Sequence, residues 1–461
     1  MAAWMKWKGT AYRWAARLVR RFRARWGQRG RRPLPSELSI PLKDREWLSL
    51  AWRRLPATAD RTGTVPADRF RARTEMEAAL SPGETLVPDR YTAGFRAPAF
   101  APDLRSSPLD SLVSRIRAET RALNRNNVTR TEAYRAVYRR HPELHWALVA
   151  HMVSRNGGWN MTDLQGELLP RLLTPEQRRH VFRFLETANS YIFGDAYPQL
   201  LLYDASVRAG RDLSGLLSEF GVSRFMIPVW RRFWQTREPA ALTAALIVNE
   251  QHFIEKRVVR NPLFREQVLE SPFFRAQAYL QMNQVVFPYR SPANPRILRL
   301  AGLVLEDFGN LEERIRFGKQ LYALLFGVEP VRTGAIGFAL SVRHTGSRAD
   351  YWPHLFARER TSPPDRPYRT RLAGHRLKPG ADRLYSPALE DAWPDQPPPE
   401  PKPYDWLDEA GPALAAEYAL EPLEPPARWE LAHDGCEGLR AIELAVAAAQ
   451  ALKPGRQAPP G

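Results

Sequence analysis

The feature that most constrains the fold is a long block, residues 107 to 357, in which helix start signals recur and alternating β-branched runs are nearly absent. Thr129 and Glu132 have capping-box spacing, and Thr174, Pro175 and Gln177 combine a cap, a first-turn proline and a second box. β-Strands would instead require apolar and polar residues to alternate along the chain. The fold class predicted is therefore all-α, as a single multi-helix globular domain of about ten helices.

Proline use divides the rest of the chain. Eighteen of the 41 prolines fall in residues 361 to 461, a content typical of extended and weakly packed segments. We predict five regions along the chain. These are a basic Trp-rich amphipathic helix (1–32), a linker with short helices at most (33–106), the helical core domain (107–357), a Pro-rich, poorly structured extended region (358–435), and a terminal helix and tail (436–461).

The first 36 residues carry eleven Lys or Arg and no acidic residue. Read at helical spacing, they place an apolar, Trp-rich stripe beside cations, which is typical of a helix lying in an anionic membrane interface. One alternative is a basic arm on nucleic acid, and another is a helix docked on the protein itself. The stripe favours the membrane, because a nucleic-acid duplex needs no apolar face. The predicted membrane-binding residues are Trp4, Trp7, Arg13, Trp14, Arg17, Leu18, Arg21 and Phe22.

Composition excludes several classes of protein. The single cysteine, Cys436, rules out an intramolecular disulfide framework and a Cys-rich zinc site. No apolar run approaches the ~20 residues of a membrane span, and the basic N-terminus lacks the apolar region of a signal peptide. The predicted location is cytoplasmic and peripheral on the membrane, neither secreted nor transmembrane. The 60 Arg against 8 Lys fit a GC-rich genome as simply as they fit phosphate recognition.

Cofactor motifs are missing from the sequence. Neither GxxxxGK[ST] nor GxGxxG occurs, so no nucleotide cofactor is predicted. Glu250, His252 and Glu255 are close in sequence, but only the last two share a helix face and no HExxH pattern occurs, so no metal is predicted. The segment DQPPPEPKP, residues 395 to 403, predicts polyproline II, serving as a spacer or as a site for an SH3-like protein partner.

The stretch HWALVAHMVSRNGGWNMTDLQG, residues 145 to 166, predicts a joint between two helices. A buried helix would end in the left-handed residue Gly158, Trp159 would fold back over its last turn, and Asn160 with Asp163, or Thr162 with Gln165, would cap the next helix. His151 and Arg155 lie on the buried helix just before this joint. His151 has no local structural role in this interpretation.

A carboxylate in an apolar stripe is the sharpest candidate for chemistry. Glu250 in LTAALIVNEQHFIEKRVV has apolar residues one turn before and one turn after it. A buried carboxylate must be paired, protonated or bound to a metal. One interpretation is an ion pair that fixes helix packing, with His151, Arg155 or Arg343 as partner. The other is a hydrolase-type general acid or base, Glu250, acting with His151 and Arg155 or with His252.

The segment SVRHTGSRADYWPHLF, residues 341 to 356, is rich in polar side chains. Ser, His and Asp within seven residues do not indicate a catalytic triad, because triads are assembled from distant segments. Arg343, Ser347 and Arg348 are the predicted anion-binding residues. The alternative is a polar surface loop without a ligand.

Four motifs together carry a family resemblance: NNVTRTEAYR, SRNGGWNMTDL, NEQHFIEKRVV and HTGSRADYWPHLF. Over about residues 107 to 395 the chain resembles a family of uncharacterised proteins from spore-forming Gram-positive bacteria, classed as a domain of unknown function. The resemblance implies an intracellular or membrane-peripheral bacterial protein. It implies no activity, cofactor or catalytic residue. The function predicted is that of a helical scaffold or interaction protein on the cytoplasmic membrane face.

Overall fold

A computed structural model of the chain describes residues 35–55, 108–272, 274, 283–291, 294–361, 363, 367–374, 376–426, 428–431 and 434–451. The described residues form a mostly helical single domain, which confirms the predicted fold class. A few small sheets accompany the helices.

In chain order the helices are α1 (Leu42–Arg53), α2 (Pro108–Leu123), α3 (Asn127–Arg140), α4 (His145–Asp163), α5 (Pro175–Ala209), α6 (Met226–Thr236), α7 (Pro239–Ile254), α8 (Pro262–Phe264), α9 (Leu311–Gly327), α10 (Glu329–Ser341), α11 (Leu389–Ala392), α12 (Leu407–Ala410), α13 (Pro412–Leu420) and α14 (Asp434–Ala451). The strands are β1 (Gln284–Ser291), β2 (Asn294–Val304), β3 (Phe356–Ala357), β4 (Leu372–Ala373), β5 (Arg376–Leu377) and β6 (Leu384–Tyr385). Single π-helical turns, Glu255–Val259 and Arg265–Leu269, follow α7 and α8.

Local capping explains where the helices begin. Thr174 and Gln177 form the predicted capping box of α5, with Pro175 in its first turn. The box of α3 differs from the prediction, because Asn126 is the cap: its Oδ1 accepts from the backbone N of Thr129 at 3.0 Å. Asparagine and threonine are both good caps, and the one that caps α3 is the residue directly before the helix, Asn126.

The β1–β2 hairpin is the one long element that the sequence analysis did not predict. Its strands pair antiparallel from Gln284 opposite Val304 to Arg290 opposite Leu298. Asn156 on α4 holds the hairpin by donating from Nδ2 to Val286 O and accepting at Oδ1 from Val286 N. Proline and arginine interrupt the alternation of apolar residues in its strands, so the sequence pattern does not indicate strands here. Tertiary contacts stabilise the hairpin instead.

Segments outside the predicted core domain also pack onto it. Within the predicted linker, α1 buries Trp52, which stacks on Phe225 with ring centroids 4.8 Å apart. Within the predicted Pro-rich region, Trp393 and Trp406 are buried on either side of the mostly exposed residues 394–403. Residues 394–403 have no regular secondary structure, but the predicted region also contains the helices α11, α12 and α13, and it contributes side chains to the core. A protein partner for its exposed segment stays a prediction.

Among the described residues, no single helix combines the length and the apolar character that a membrane span needs. Only α9 and α10 taken together reach that composition, and they are bent by 92° relative to each other.

Candidate functional site

The stretch predicted as a joint is one continuous helix. α4 runs from His145 to Asp163 through both glycines, and Gly158 does not have a positive φ. The predicted helix end at Gly158 is therefore wrong. Asn160 and Asp163 are not caps either, since both accept hydrogen bonds from the Arg348 guanidinium.

Gly158 is required by a close approach rather than by a turn. A Cβ at this position would overlap Asn127 Oδ1 and would lie 2.6 Å from His344 Nε2. At neighbouring Gly157 an added Cβ would meet only ordinary contacts, the nearest being the Asn189 side chain at 3.4 Å. The two glycines thus lie on two different faces of α4, one tightly packed and one with room.

The roomier face of α4 borders a cavity of about 320 Å³, called here the central cavity. Its remaining walls come from α3, α5, α7, α9, the hairpin, and residues 438, 439 and 442 of α14. The α4 residues that line it include Trp146, Val149, Ala150, Val153, Gly157 and Asn160. The α4 residues that line the cavity extend from Trp146 to Asp163, a span of about 25 Å at a rise of 1.5 Å per residue. Most of the lining side chains are apolar.

Glu250 lies at the Trp146 end of the central cavity. Its carboxyl accepts hydrogen bonds from the Trp146 indole and, at 3.3 Å, from Gln251 Nε2. Burial raises the pKa of Glu250 to about 8, Asp195 adds to the rise, and the two hydrogen bonds oppose it. The Tyr134 ring packs edge-on against Trp146, with ring centroids 5.4 Å apart. At neutral pH this end therefore presents a protonated carboxyl group.

The opposite end of the cavity is lined by charged pairs. Arg348 Nε donates to Asp163 Oδ2 at 2.8 Å, and both residues line the cavity. Glu167, also on the wall, accepts from Arg171 NH2 at 3.1 Å and lies 3.6 Å from Arg371 NH2. Each carboxylate at this end has a guanidinium partner, in contrast to Glu250.

The structure brings His151 and Arg155 together, but not with Glu250. Both lie on the face of α4 opposite the cavity and are fully buried. His151 Nδ1 donates to Thr131 O at 2.8 Å, so Nε2 is left to accept from Arg155 Nε at 3.0 Å. Burial, then the charge of Arg155, lowers the pKa of His151 well below its ordinary value, so the ring is neutral. These two side chains hold helices together and do not face Glu250.

His252 is likewise turned away from the central cavity. Its ring stacks on Trp406 with centroids 4.3 Å apart, and burial lowers its pKa to about 4. It does not line the cavity that Glu250 lines. The alternative pairing of Glu250 with His252 therefore lacks a shared space.

A buried polar network fills the tight side of α4. His344 Nε2 donates to Asn127 Oδ1 at 2.9 Å, and Asn127 Nδ2 donates to Ser154 O and Oγ at 3.0 and 3.1 Å. His344 Nδ1 lies 3.6 Å from Asp350 Oδ2, and burial lowers the pKa of His344 to about 4. Both polar atoms of the Asn127 side chain are hydrogen-bonded, and the network joins α3, α4 and the segment after α10.

The predicted anion-binding residues do not form one cluster. Ser347 Oγ donates to Ser386 O at 2.6 Å, Arg348 binds Asp163, and the Arg343 side chain is exposed. Two of the three thus have partners within the protein. The predicted membrane-binding residues, Trp4 to Phe22, lie outside the described residues.

Asp195 is a buried carboxyl that the sequence analysis missed. Its Oδ2 accepts from Asn249 Nδ2 and, at 3.0 Å, from Gln199 Nε2. Burial raises its pKa to about 7, while both hydrogen bonds lower it. The signal was present, since Asp195 lies in an apolar helical run as Glu250 does. No group of three or more His, Cys, Asp or Glu within the described ranges has the geometry of a metal site.

Comparisons with known proteins give a family and no activity. Residues 122–414 match the family described as "Protein of unknown function (DUF2515)". Over 252 residues the chain is 44% identical to "Uncharacterized protein YppC" of Bacillus subtilis (strain 168), covering 55% of this chain and 77% of that protein. No solved structure matches the chain. The predicted resemblance is confirmed: the chain belongs to the DUF2515 family of bacterial proteins of unknown function.

Proposed function

We propose that this domain binds an elongated apolar small molecule, a long-chain amphiphile, in the central cavity. The observation that carries the proposal is the cavity itself, which borders a stretch of α4 about 25 Å long and is lined mostly by apolar side chains. Its volume of about 320 Å³ lies at the lower end of the range for ligand pockets. Close-packed interiors rarely leave voids of this size.

Two further features support a ligand rather than a packing defect. Titratable groups line both ends of the cavity, Glu250 at one and Arg348 with Asp163 at the other, so a polar head group has partners at either end. Small side chains, Ala150 and Gly157, lie on the cavity face of α4, where larger residues would fill the space. The hydrolase hypothesis needed Glu250 beside His151 and Arg155, and we do not carry it forward.

Binding of hexadecyl compounds by full-length protein tests the proposal. Delipidated protein is titrated with an environment-sensitive alkyl dye, which is then displaced by palmitate, hexadecanol or methyl palmitate. We expect saturable binding of at least one of the three. Native mass spectrometry of the protein as purified provides a second readout.

A matched pair of variants links binding to the cavity. Ala150→Phe fills the cavity and should abolish dye binding, whereas Ala147→Phe places the same ring on a buried face of α4 that does not line the cavity. Binding that is equal in the wild type and in Ala150→Phe would refute the proposal. So would the failure of every hexadecyl compound to bind.

A second candidate function, attachment to an anionic membrane surface, rests on residues 1–32. What supports it is the stripe of tryptophans with flanking arginines in the sequence. Flotation with phosphatidylglycerol vesicles and with phosphatidylcholine vesicles tests it. We expect binding to the anionic vesicles only, and its loss when residues 1–32 are deleted; binding that survives the deletion would argue against it. Nucleic-acid binding by the same segment predicts a steep salt dependence in a filter-binding assay.

A further inference from the structure

The charged residues on the wall of the central cavity differ in their partners. Six such residues line it among those that the structure describes, and five of them belong to ion pairs: Arg130, Asp163, Glu167, Arg314 and Arg348. The sixth is Glu250. Across the described part of the chain, no Lys, Arg or His forms a salt bridge with it. Glu250 is therefore the charged residue of this wall that lacks a counter-ion within those ranges.

The groups that hydrogen-bond Glu250 are neutral donors. Its carboxyl accepts from the Trp146 indole and, at 3.3 Å, from Gln251 Nε2. Gln251 Oε1 accepts from Arg314 Nε at 2.9 Å, so an amide lies between this guanidinium and Glu250. The Glu250 side chain keeps accessible surface and lines the cavity, whereas Asn249 beside it is buried. Since a carboxylate can accept about four hydrogen bonds, part of this capacity is left for a ligand.

A second carboxyl group makes this end of the cavity electronegative. Asp195 on α5 is close enough for its charge to disfavour ionisation of Glu250. It accepts hydrogen bonds from the Asn249 and Gln199 amides, which are again neutral donors. The charge of Arg257 favours the ionised form of Asp195, but its guanidinium donates to backbone carbonyl groups instead. Among the described residues, this end therefore has two carboxyl groups with which no cation pairs directly.

We propose that the amphiphile carries a primary amine head group, whose ammonium donates hydrogen bonds to the Glu250 carboxylate. This inference rests on the proposed function and names the head group for that site. An ionised carboxylate inside a protein needs a cation as partner, and the described wall offers none to Glu250. The rings of Trp146 and Tyr134 line the same end, and aromatic faces attract cations.

Binding of an ammonium exchanges one positive charge for another at Glu250. Because burial raises the pKa of Glu250 to about 8, its carboxyl group holds a proton near neutrality before a cation arrives. When an alkylammonium binds, that proton leaves to solvent and the ammonium takes its place, so the pair is neutral. A carboxylate head group would instead bring a further negative charge toward Glu250 and Asp195. An alcohol would leave the carboxyl group protonated.

Ligands that share one chain and differ in the head group test the assignment on the full-length protein. Hexadecylamine, hexadecanol, palmitate and hexadecyltrimethylammonium each displace the alkyl dye near neutral pH, at concentrations below micelle formation. We expect hexadecylamine to bind at least about tenfold more tightly than hexadecanol, because its hydrogen bonds to a carboxylate are charge-assisted. Palmitate should bind more weakly than hexadecanol. The quaternary ion has no N–H to donate and should bind more weakly than hexadecylamine.

Removing the charge of Glu250 should remove the preference for the amine. Glu250→Gln keeps the size of the side chain, and it should bind hexadecylamine no more tightly than hexadecanol while its affinity for hexadecanol changes little. Glu266→Gln makes the same change at an exposed position and should keep the wild-type preference. Circular dichroism of both variants shows whether they are folded, and the ligand series on the wild type needs no variant.

The outcomes separate the two proposals. If hexadecanol or palmitate binds as tightly as hexadecylamine, or if Glu250→Gln keeps the preference for the amine, the amine head group is wrong and the cavity is still a binding site for apolar chains. Equal affinities for the quaternary ion and hexadecylamine would also overturn the primary amine. If no hexadecyl compound binds at all, the proposed function itself is wrong.

Discussion

The two faces of α4 show opposite solutions to the packing of one helix. One face carries His151, Arg155 and Gly158 and packs so closely against Asn127 and His344 that a methyl group has no room. The other face carries small and apolar residues along a cavity of about 320 Å³. A helix within a single core is normally packed to the same density all round. The difference is what we expect if one face serves stability and the other, as we propose, binds a ligand.

The sharpest way to break this comparison is to add one methyl group to each face. Gly158→Ala should lower the free energy of unfolding by about 3 kcal/mol, because its Cβ would overlap Asn127 and His344. Gly157→Ala should raise it by up to about 1 kcal/mol, since alanine is the better helix former and the space is free. Urea unfolding followed by circular dichroism measures both. Equal effects of the two substitutions would contradict the comparison.

A second pair of substitutions removes an amide side chain that borders each face of α4. Asn127→Ala leaves the His344 N–H unpaired in the interior and removes the second donor to the Ser154 carbonyl, which should cost about 2 kcal/mol. Asn189→Ala, on the cavity wall, loses one bond to Leu185 O and should cost only about 0.5 kcal/mol. The same unfolding experiment applies. A larger loss for Asn189→Ala would show that the cavity face is the more important one for stability.

A third pair adds a ring instead of a methyl group. Ala147→Phe should overpack the core and destabilise the fold by about 1.5 kcal/mol, while Ala150→Phe, which extends into the cavity, should change stability by less than about 0.5 kcal/mol. Thermal unfolding of the ligand-free proteins checks both values. If Ala150→Phe is as damaging as Ala147→Phe, the cavity closes in solution and the two faces are equivalent.

The last prediction concerns the pH dependence of stability rather than its value at one pH. Because the pKa of Glu250 rises from its ordinary 4.5 to about 8 on folding, the folded chain holds a proton that the unfolded chain has lost between these values. Its contribution is therefore fully present at low pH and is lost as the pH rises through this window. Glu250→Gln should flatten the decline in the free energy of unfolding. An unchanged decline would mean that water in the cavity hydrates the carboxylate.

Much of the fold could be predicted from the sequence, because the relevant signals are local. The box at Thr174, the first-turn prolines and the absence of strand patterns act over three or four residues, and they gave the helical class correctly. The hairpin could not be predicted in this way. Its pattern is irregular, and Asn156, far away along the chain, holds it in place.

The candidate site could be predicted only in part. Glu250 was singled out as a carboxyl on an apolar stripe, since a charge there conflicts with its surroundings at the level of helix periodicity, and the structure places it on the cavity wall. Its predicted partners were wrong, because residues of the right type, His151 and Arg155, lie on the other face of α4. The order of residues along a helix gives the face of each residue, but not which neighbour covers that face.

What the sequence alone determined is the helical class, several helix starts, the family and the unusual position of Glu250. What only the tertiary structure decided is that Gly157 and Gly158 continue a helix, and that one of its faces borders a cavity. The physical reason is the separation along the chain over which each interaction acts. Caps and helix periodicity act within one or two turns, whereas Gly158 meets His344 and the cavity is a volume left by elements far apart in the chain.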